Sequence, residues 1–180
     1  MTEEWERNMD WLEDLLALGV YPDAVKWASQ FSTLQAAWEA SERGDSMLWF
    51  AGRVAGGEPN SPERLKLILA TCDCARLALG HVPAGKEFPR QATSATENLA
   101  TGTATLAQLK AATRAAWPCG ATGAVWDDWA TETVWSAGAS WVAWATGATW
   151  FTGAARATVL RQCADIVRRH YPEAPTGCGR

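Results

Sequence analysis

Residues that begin or end helices recur along most of the chain, and they limit its fold more than any other feature. Gly19 can end one helix, and Pro22 can occupy the first turn of the next. Ser61-Pro62 precedes a long segment with apolar residues at helical spacing, and Gly102 interrupts the sequence further on. The chain is therefore predicted to be all-α, with several helices in a bundle-like or solenoid-like array.

One helix start and one helix end can be placed from local chemistry around residue 40. Ser32 followed by Gln35 has the spacing of a capping box, which predicts a helix that ends near Arg43. Gly44 is then expected to take the left-handed conformation that stops this helix, and Asp45 to cap the next one. Gly44 and Asp45 thus form a predicted structural turn between two helices.

The same turn reads Arg43-Gly44-Asp45-Ser46, the tetrapeptide that cell-adhesion receptors recognise on matrix proteins. An adhesion site needs an exposed loop outside a cell. The sequence instead predicts a corner between two helices, at which Trp38 and Trp49 are expected to meet in the core. We therefore interpret the four residues as a folding signal.

The chain of 180 residues suits one domain, or at most two small ones. The Gly- and Pro-rich stretch 56–62 is its strongest break, so residues 1–55 are predicted to form an N-terminal helical subdomain. Residues 56–172 are predicted to form a helical repeat region that packs with it as one unit. The last helix is expected from Ala154 to about Tyr171, followed by a flexible tail over residues 173–180.

An Ala-, Gly- and Trp-rich region contains an internal repeat with a 15-residue period, in which "WDDWATETVWSAGAS" is followed by "WVAWATGATWFTGAA". Three tryptophans of each copy align with three of the other: Trp126, Trp129, Trp135 and Trp141, Trp144, Trp150. Fifteen residues make just over four helical turns, so short helices or one widely buried helix are expected. Strand is the alternative, but the period-2 alternation that it requires is missing.

Charge and cysteine content bear on location. Net charge is −4, and residues 1–45 contain ten acidic and three basic side chains. The N-terminus is acidic where an export signal is basic, and no apolar run is long enough to span a membrane. The five cysteines do not show the spacing of a disulfide framework. A cytoplasmic protein without membrane attachment is expected.

The sequence offers little for catalysis or metal binding. Cys72 and Cys74 are two residues apart, and on a helix they point to different faces, so we interpret them as core residues. His81 and His170 are the only histidines, and neither belongs to a recognisable catalytic motif. Asp127-Asp128 is interpreted as a solvated helix start. The chain is therefore predicted not to be an enzyme and to need no cofactor or metal.

Tryptophan is the most unusual part of the composition, with 12 Trp against 4 Phe and 2 Tyr. Core packing is the simpler explanation, but the six repeat tryptophans are also candidate binding residues, because Trp stacks on bases and is enriched at protein interfaces. Arg161, Arg168 and Arg169 of the last helix are the candidate basic residues beside them, although such a cluster is most often a solvated helix face.

Several stretches together resemble a known family. They are "DAVKWASQFSTLQAAWEASERGDSMLWFAGRV", "CARLALGHVPAGKEFPRQATSATE", an Ala-rich repeat and "VLRQCADIVRRHYP", in this order from Asp23 to Pro172. Their combination is similar to a family of bacterial, phage and prophage proteins labelled immunity proteins. The R-G-D-x-x-L-W turn and the last helix are its most specific parts. The resemblance implies an Ala-rich helical protein that binds and neutralises a partner without catalysis.

These observations lead to one principal functional hypothesis and three alternatives. The principal hypothesis is an inhibitor that blocks a partner protein, either a bacterial toxin effector or, if phage-encoded, a host defence component. The second is a sponge that holds a nucleotide signal between the repeat tryptophans and the arginines. An enzyme is the third, disfavoured by the two histidines and the absence of a motif, and self-association of the chain through its Ala/Gly/Trp repeat is a further alternative.

Overall fold

The computed structural model of the protein describes residues 11–54, 61–79, 88–105, 107–108 and 153–176. Helices make up most of this part, and it contains no strand, so the all-α prediction is confirmed. The helices are α1 (described over residues 11–17), α2 (Pro22–Ala28), α3 (Leu34–Ala40), α4 (Gly44–Val54), α5 (Pro62–Leu79), α6 (Phe88–Ala100) and α7 (Gly153–His170). The 15-residue repeat lies outside the described residues.

Several helix ends follow from local chemistry as predicted. Gly19 follows α1 with φ +80°, and Gly102 follows α6 with φ +73°, a conformation that glycine adopts without steric cost. Pro22 stands in the first turn of α2, where its missing N–H costs nothing. Ser61 Oγ accepts a hydrogen bond from the Arg64 amide (3.3 Å) and so caps α5.

The predicted capping box at the start of α3 is wrong by one residue. The cap is Thr33, whose hydroxyl accepts from the Ala36 amide (3.1 Å), while Ser32 is exposed before it. Gln35 therefore does not complete a capping box. It reaches across to the segment after the last helix, where it accepts from the Ala174 amide (2.7 Å).

The main core lies where α4, α5 and α7 pack against one another and α3 covers one side. It joins residues from both sides of position 55, so the helices on either side share one interior. Its largest fully buried side chains are Met47, Val167, Cys74 and Cys163. A smaller cluster between α5 and α6 contains Ile68, Cys72 and Ala100.

Trp38 and Trp49 do not meet in the core as predicted. Trp38 is buried, with 4% of its surface exposed, and its indole ring packs at a tilt against Phe50 (6.1 Å between centroids). Trp49 is 37% exposed and lies under the guanidinium of Arg53, 5.4 Å from the ring centroid. Successive residues of a helix point about 100° apart, and α4 presents Phe50 rather than Trp49 to Trp38.

The segment after α7 is packed against the helices rather than loose over its first residues. Tyr171 and Ala174 belong to the main core. The Tyr171 carbonyl accepts from Trp38 Nε1 (2.9 Å), and the Pro172 carbonyl accepts from Gln35 Nε2 (3.2 Å). Ala174, which belongs to the predicted flexible tail, is thus packed against the helices. Residues 177–180 lie outside the described part.

None of the helices in the described part of the chain is long and apolar enough to cross a membrane.

Candidate functional site

The Arg43–Ser46 turn is used by the fold. Arg43 donates two hydrogen bonds to the Asp45 carboxylate, from Nε (2.8 Å) and from Nη2 (2.7 Å), so the two charged groups of the receptor-like tetrapeptide neutralise each other. Asp45 also accepts from the Ser46 amide (2.9 Å). Residues 41–43 form the link between α3 and α4, and residue 44 already begins α4.

The electrostatics of this pair follow from its geometry. Partial burial alone would raise the pKa of Asp45, but the hydrogen bonds and charge of Arg43 outweigh it, so the pKa lies below its usual value. The pKa of Arg43 is raised by the same hydrogen bonds. Both groups are therefore charged at neutral pH. Their ion pair joins Arg43, which is exposed in the link after α3, to the first turn of α4.

The conformation predicted for Gly44 is wrong, whereas Asp45 accepts from an amide in the first turn of the next helix, as predicted. Gly44 is not left-handed, since among the described glycines only Gly19 and Gly102 have positive φ. It is buried against α7, where an added Cβ would lie 2.5 Å from the Ala164 amide nitrogen and 2.6 Å from the carbonyl carbon of Cys163. Asp45 is in the first turn of α4 rather than before it. Gly44 is needed for close helix approach, not for a special backbone conformation.

The three candidate arginines of α7 have different surroundings. Arg161 lies at the surface, with Nε 3.3 Å from the Glu42 carboxylate. Arg169 is exposed. Arg168 is three-quarters buried: its Nη1 donates to the carbonyls of Trp38 (3.3 Å), Glu39 (3.3 Å) and Ser41 (2.8 Å), and its Nη2 to Asp165 (2.7 Å).

Arg168 thus closes the C-terminal end of α3. The last carbonyls of a helix have no partner within it, and a cation there is favoured by the helix dipole. Arg168 therefore has a structural role. Arg161 and Arg169 are the two more exposed members of the three candidate arginines. The candidate tryptophans Trp126, Trp129, Trp135, Trp141, Trp144 and Trp150 lie outside the described residues.

His170, at the end of α7, has a partner that the sequence did not predict. Its Nε2 lies 2.8 Å from the Asp73 carboxylate of α5, and its side chain is 23% exposed. Next to it, Tyr171 donates from its hydroxyl to the Glu63 carbonyl (3.2 Å), and the ammonium of Lys66 lies 4.5 Å from the ring centroid. Burial, with the nearby charge of Glu63, raises the pKa of Tyr171 to about 12. These contacts fasten α7 to α5.

The described thiols are core groups, as predicted for Cys72 and Cys74. Cys72, Cys74 and Cys163 are buried and free. Burial, together with the charge of Glu97, raises the pKa of Cys72 to about 12, so its thiol is protonated and weakly nucleophilic at neutral pH. The pKa of Cys74 is also raised, first by its hydrogen bond with Cys163 and then by burial. No group of three metal-ligating side chains occurs among the described residues.

One surface stands out that the sequence did not reveal. The large hydrophobic residues exposed in the described part of the chain all belong to its first four helices and the links between these helices. We call these residues the N-terminal apolar surface. With their exposed fractions, they are Leu16 (55%), Tyr21 (79%), Trp27 (39%) and Trp49 (37%). The adjacent pair Leu15-Leu16 was a signal, because two neighbouring leucines of one helix point about 100° apart. Leu15 is buried, whereas Leu16 is exposed.

Leu16 and Tyr21 lie on either side of the link between α1 and α2. The Gly19 amide donates to the Leu16 carbonyl (2.9 Å), and Tyr21 follows two residues later. A Cβ at Gly19 would lie 3.8 Å from Arg53 Nη2, and Arg53 covers the Trp49 ring. On α2, Trp27 packs against Phe31 (4.8 Å between centroids), which holds its ring at the surface.

Comparisons of the chain with models of protein families, with curated proteins and with solved structures give no match. The resemblance to immunity proteins therefore stays a prediction.

Proposed function

We propose that the protein is a non-enzymatic inhibitor that neutralises a partner protein by direct binding. The observation that carries this proposal is the N-terminal apolar surface, on which four large side chains between Leu16 and Trp49 are exposed. Large apolar side chains that are exposed on a small protein are common at interaction sites, and Tyr and Trp are among the residues that most often dominate binding energy.

The described part of the chain supports binding rather than catalysis. The described histidine, His170, contacts Asp73 and lies beside a buried tyrosine that fastens two helices. The described thiols are buried, and those of Cys72 and Cys74 have raised pKa values. The described histidine and the thiols of Cys72 and Cys74 thus lie in contacts between helices.

The partner class rests on the resemblance described above. If the chain is bacterial, the partner is a toxin effector; if it is phage-encoded, the partner is a component of host defence. A cytoplasmic location belongs to the same proposal.

The nucleotide sponge is less well supported by the described residues. It requires arginines that face a ligand, and Arg168 instead holds three backbone carbonyls of the α3 end. Arg161 lies beside Glu42. Only Arg169 is exposed with no such structural contact described.

The proposal is tested by affinity capture from lysate of the native host, with a matched variant. The wild-type chain is expected to retain one partner in stoichiometric amount, and Leu16→Ser/Tyr21→Ser to retain much less of it, because both side chains are exposed and leave the core intact. Glu63→Gln/Glu173→Gln, on exposed residues elsewhere, should capture as wild type does. The proposal fails if no stoichiometric partner is captured, or if capture is the same for all three.

A further inference from the structure

We infer that the N-terminal apolar surface docks a protein whose contacting face is basic around an apolar centre. This inference rests on the proposed function, and it specifies the chemistry of the partner. It follows from where the chain places its net charge relative to its exposed hydrophobic residues.

The segment from Met1 to Trp27 is acidic. This segment contains seven acidic residues (Glu3, Glu4, Glu6, Asp10, Glu13, Asp14, Asp23) and two basic ones (Arg7, Lys26), a net charge of −5. Since the total is −4, the rest of the chain sums to +1. The same segment includes three of the four members of the N-terminal apolar surface.

Of these carboxylates, those of Glu13, Asp14 and Asp23 belong to the described residues. Glu13 precedes Leu16 by three positions on α1, so the two share a helix face, and both are exposed. Asp23 follows Tyr21 by two residues at the start of α2 and is also exposed. The exposed cations of this region are Lys26 and Arg53, the latter lying over Trp49. Between Trp11 and Trp27, exposed carboxylates therefore outnumber exposed cations by three to one.

This arrangement divides recognition into two contributions. Apolar side chains supply most of the affinity once water is displaced from them. Charges of one sign accelerate association with a surface of the opposite sign and repel surfaces of the same sign. A second copy of the chain would bring two acidic segments together, so charge opposes self-association through this surface and favours a basic partner.

The test uses the full chain and two designed probes of equal length, an amphipathic helical Leu/Lys peptide and its Leu/Glu counterpart. Affinity is measured by titration calorimetry at low and high salt, and the contact site is mapped by amide chemical shifts in NMR. We expect the Leu/Lys peptide to bind at least about tenfold more tightly than the Leu/Glu peptide at low salt, with shifts confined to residues 11–28, 49 and 53. Its affinity should fall as salt rises, because exposed charges are screened.

Matched variants separate the two contributions. Glu13→Gln/Asp14→Asn should weaken the Leu/Lys peptide severalfold and flatten its salt dependence, whereas Glu63→Gln/Glu173→Gln, with the same change of net charge elsewhere, should have no effect. Leu16→Ser/Tyr21→Ser should weaken binding at both salt concentrations.

Each other outcome overturns the inference. Equal binding of the two peptides, binding of neither, shifts outside the named residues, or equal effects of the two charge variants would each show that charge at this surface does not select a basic partner. Dimerisation that Leu16→Ser abolishes would assign the surface to a second copy. A captured partner that depends on Leu16 and Tyr21 but not on Glu13 and Asp14 would leave the proposed function standing while this inference fails.

Discussion

Gly44 is a residue at which an added methyl group would clash with a neighbouring helix. Its backbone is helical and it lies against Cys163 and Ala164, both of which are fully buried. Alanine is normally better than glycine inside a helix by about 1 kcal/mol. Here, however, the methyl group would fall within 2.6 Å of α7 backbone atoms, a distance that forces α4 and α7 apart.

We predict that Gly44→Ala destabilises the protein by about 2–3 kcal/mol, because overpacking of a rigid helix contact outweighs the gain in helix propensity. Chemical denaturation followed by circular dichroism measures the change in free energy of unfolding. The sign of the change in free energy of unfolding decides the test, because a stabilised variant would show that α4 and α7 are not in close contact.

Gly102→Ala is the matched control. Gly102 has positive φ but nothing within 4 Å of an added Cβ, so the substitution should cost only the left-handed backbone penalty of about 1 kcal/mol. A larger loss at position 102 than at position 44 would contradict the assignment of the two glycines.

The Arg43–Asp45 pair gives a prediction that depends on pH. Because the pKa of Asp45 is lowered in the folded state, its carboxylate stabilises the fold above its unfolded pKa of about 4, and this contribution is lost as pH falls through the folded pKa. Asp45→Asn should therefore destabilise the protein near neutral pH by about 0.5 kcal/mol, the modest value expected for a partly exposed pair.

The difference in unfolding free energy between wild type and Asp45→Asn should shrink as the pH is lowered below about 4. Arg43→Met should cost about as much as Asp45→Asn near neutral pH, and the double variant no more than either alone. Additive losses in this cycle would show that the two side chains do not act as a pair.

Sequence reasoning at the residue scale succeeded where the cause was local and failed where it was distant. The glycine stops at positions 19 and 102 depend on adjacent backbone alone. Gly44 looked like another stop, but its partner Cys163 belongs to the last helix, and nothing near residue 44 encodes that contact. For the same reason Trp38 and Trp49 were indistinguishable in sequence.

At the scale of helices, boundaries were predictable to within a few residues because caps and breakers act over one turn. The cap of α3 was predicted at Ser32 and is Thr33. Either hydroxyl can accept from an amide three residues later, so the sequence does not distinguish the two residues. The C-terminal end of α3 was not predictable, since it is completed by Arg168 from a different helix.

We predict that Arg168→Met destabilises the protein by about 1–2 kcal/mol, because methionine keeps part of the aliphatic packing but removes the charged donors. The carbonyls of Trp38, Glu39 and Ser41 then lose their common partner. Urea denaturation measures the loss, and amide exchange at the end of α3 should accelerate.

Arg169→Met serves as the control for this prediction. The residue is next in sequence, carries the same charge near the same helix end and is exposed, so its replacement should change stability by less than about 0.5 kcal/mol. Equal losses for the two variants would indicate that only the charge of α7, and not the contact with α3, matters.

At the scale of the whole molecule, Gln35 joins α3 to the segment that follows α7. Its amide nitrogen donates to the Pro172 carbonyl and to Glu39 (2.7 Å), while its amide oxygen accepts from the Ala174 N–H. Together with the bond from Trp38 Nε1 to the Tyr171 carbonyl, it holds the segment after α7 against α3.

We predict that Gln35→Ala releases this segment and costs about 1 kcal/mol of unfolding free energy. Hydrogen exchange by NMR should show faster exchange of the Ala174 amide while amides of α5 keep their protection. Gln91→Ala, at an exposed position of α6, is the control and should alter neither. Unchanged exchange at Ala174 would contradict the role of Gln35.

The candidate site was less predictable than the fold. Acidic residues near the N-terminus were evident from the sequence, but exposure of Leu16, Tyr21 and Trp27 depends on which helix faces remain uncovered after α3, α4, α5 and α7 pack. Periodicity identifies an apolar helix face without stating whether another helix covers it. The tryptophan repeat, to which the sequence pointed first, lies outside the described residues.

The pairing of α3 and α4 with α7 also sets an order for biosynthesis. Trp38 and Met47 leave the ribosome long before Val167 and Tyr171 have been polymerised, yet these residues cover one another in the finished core. The emerging N-terminal helices thus carry unsatisfied apolar faces throughout most of translation, and such faces are what molecular chaperones bind. We therefore expect this core to close only after α7 has been synthesised.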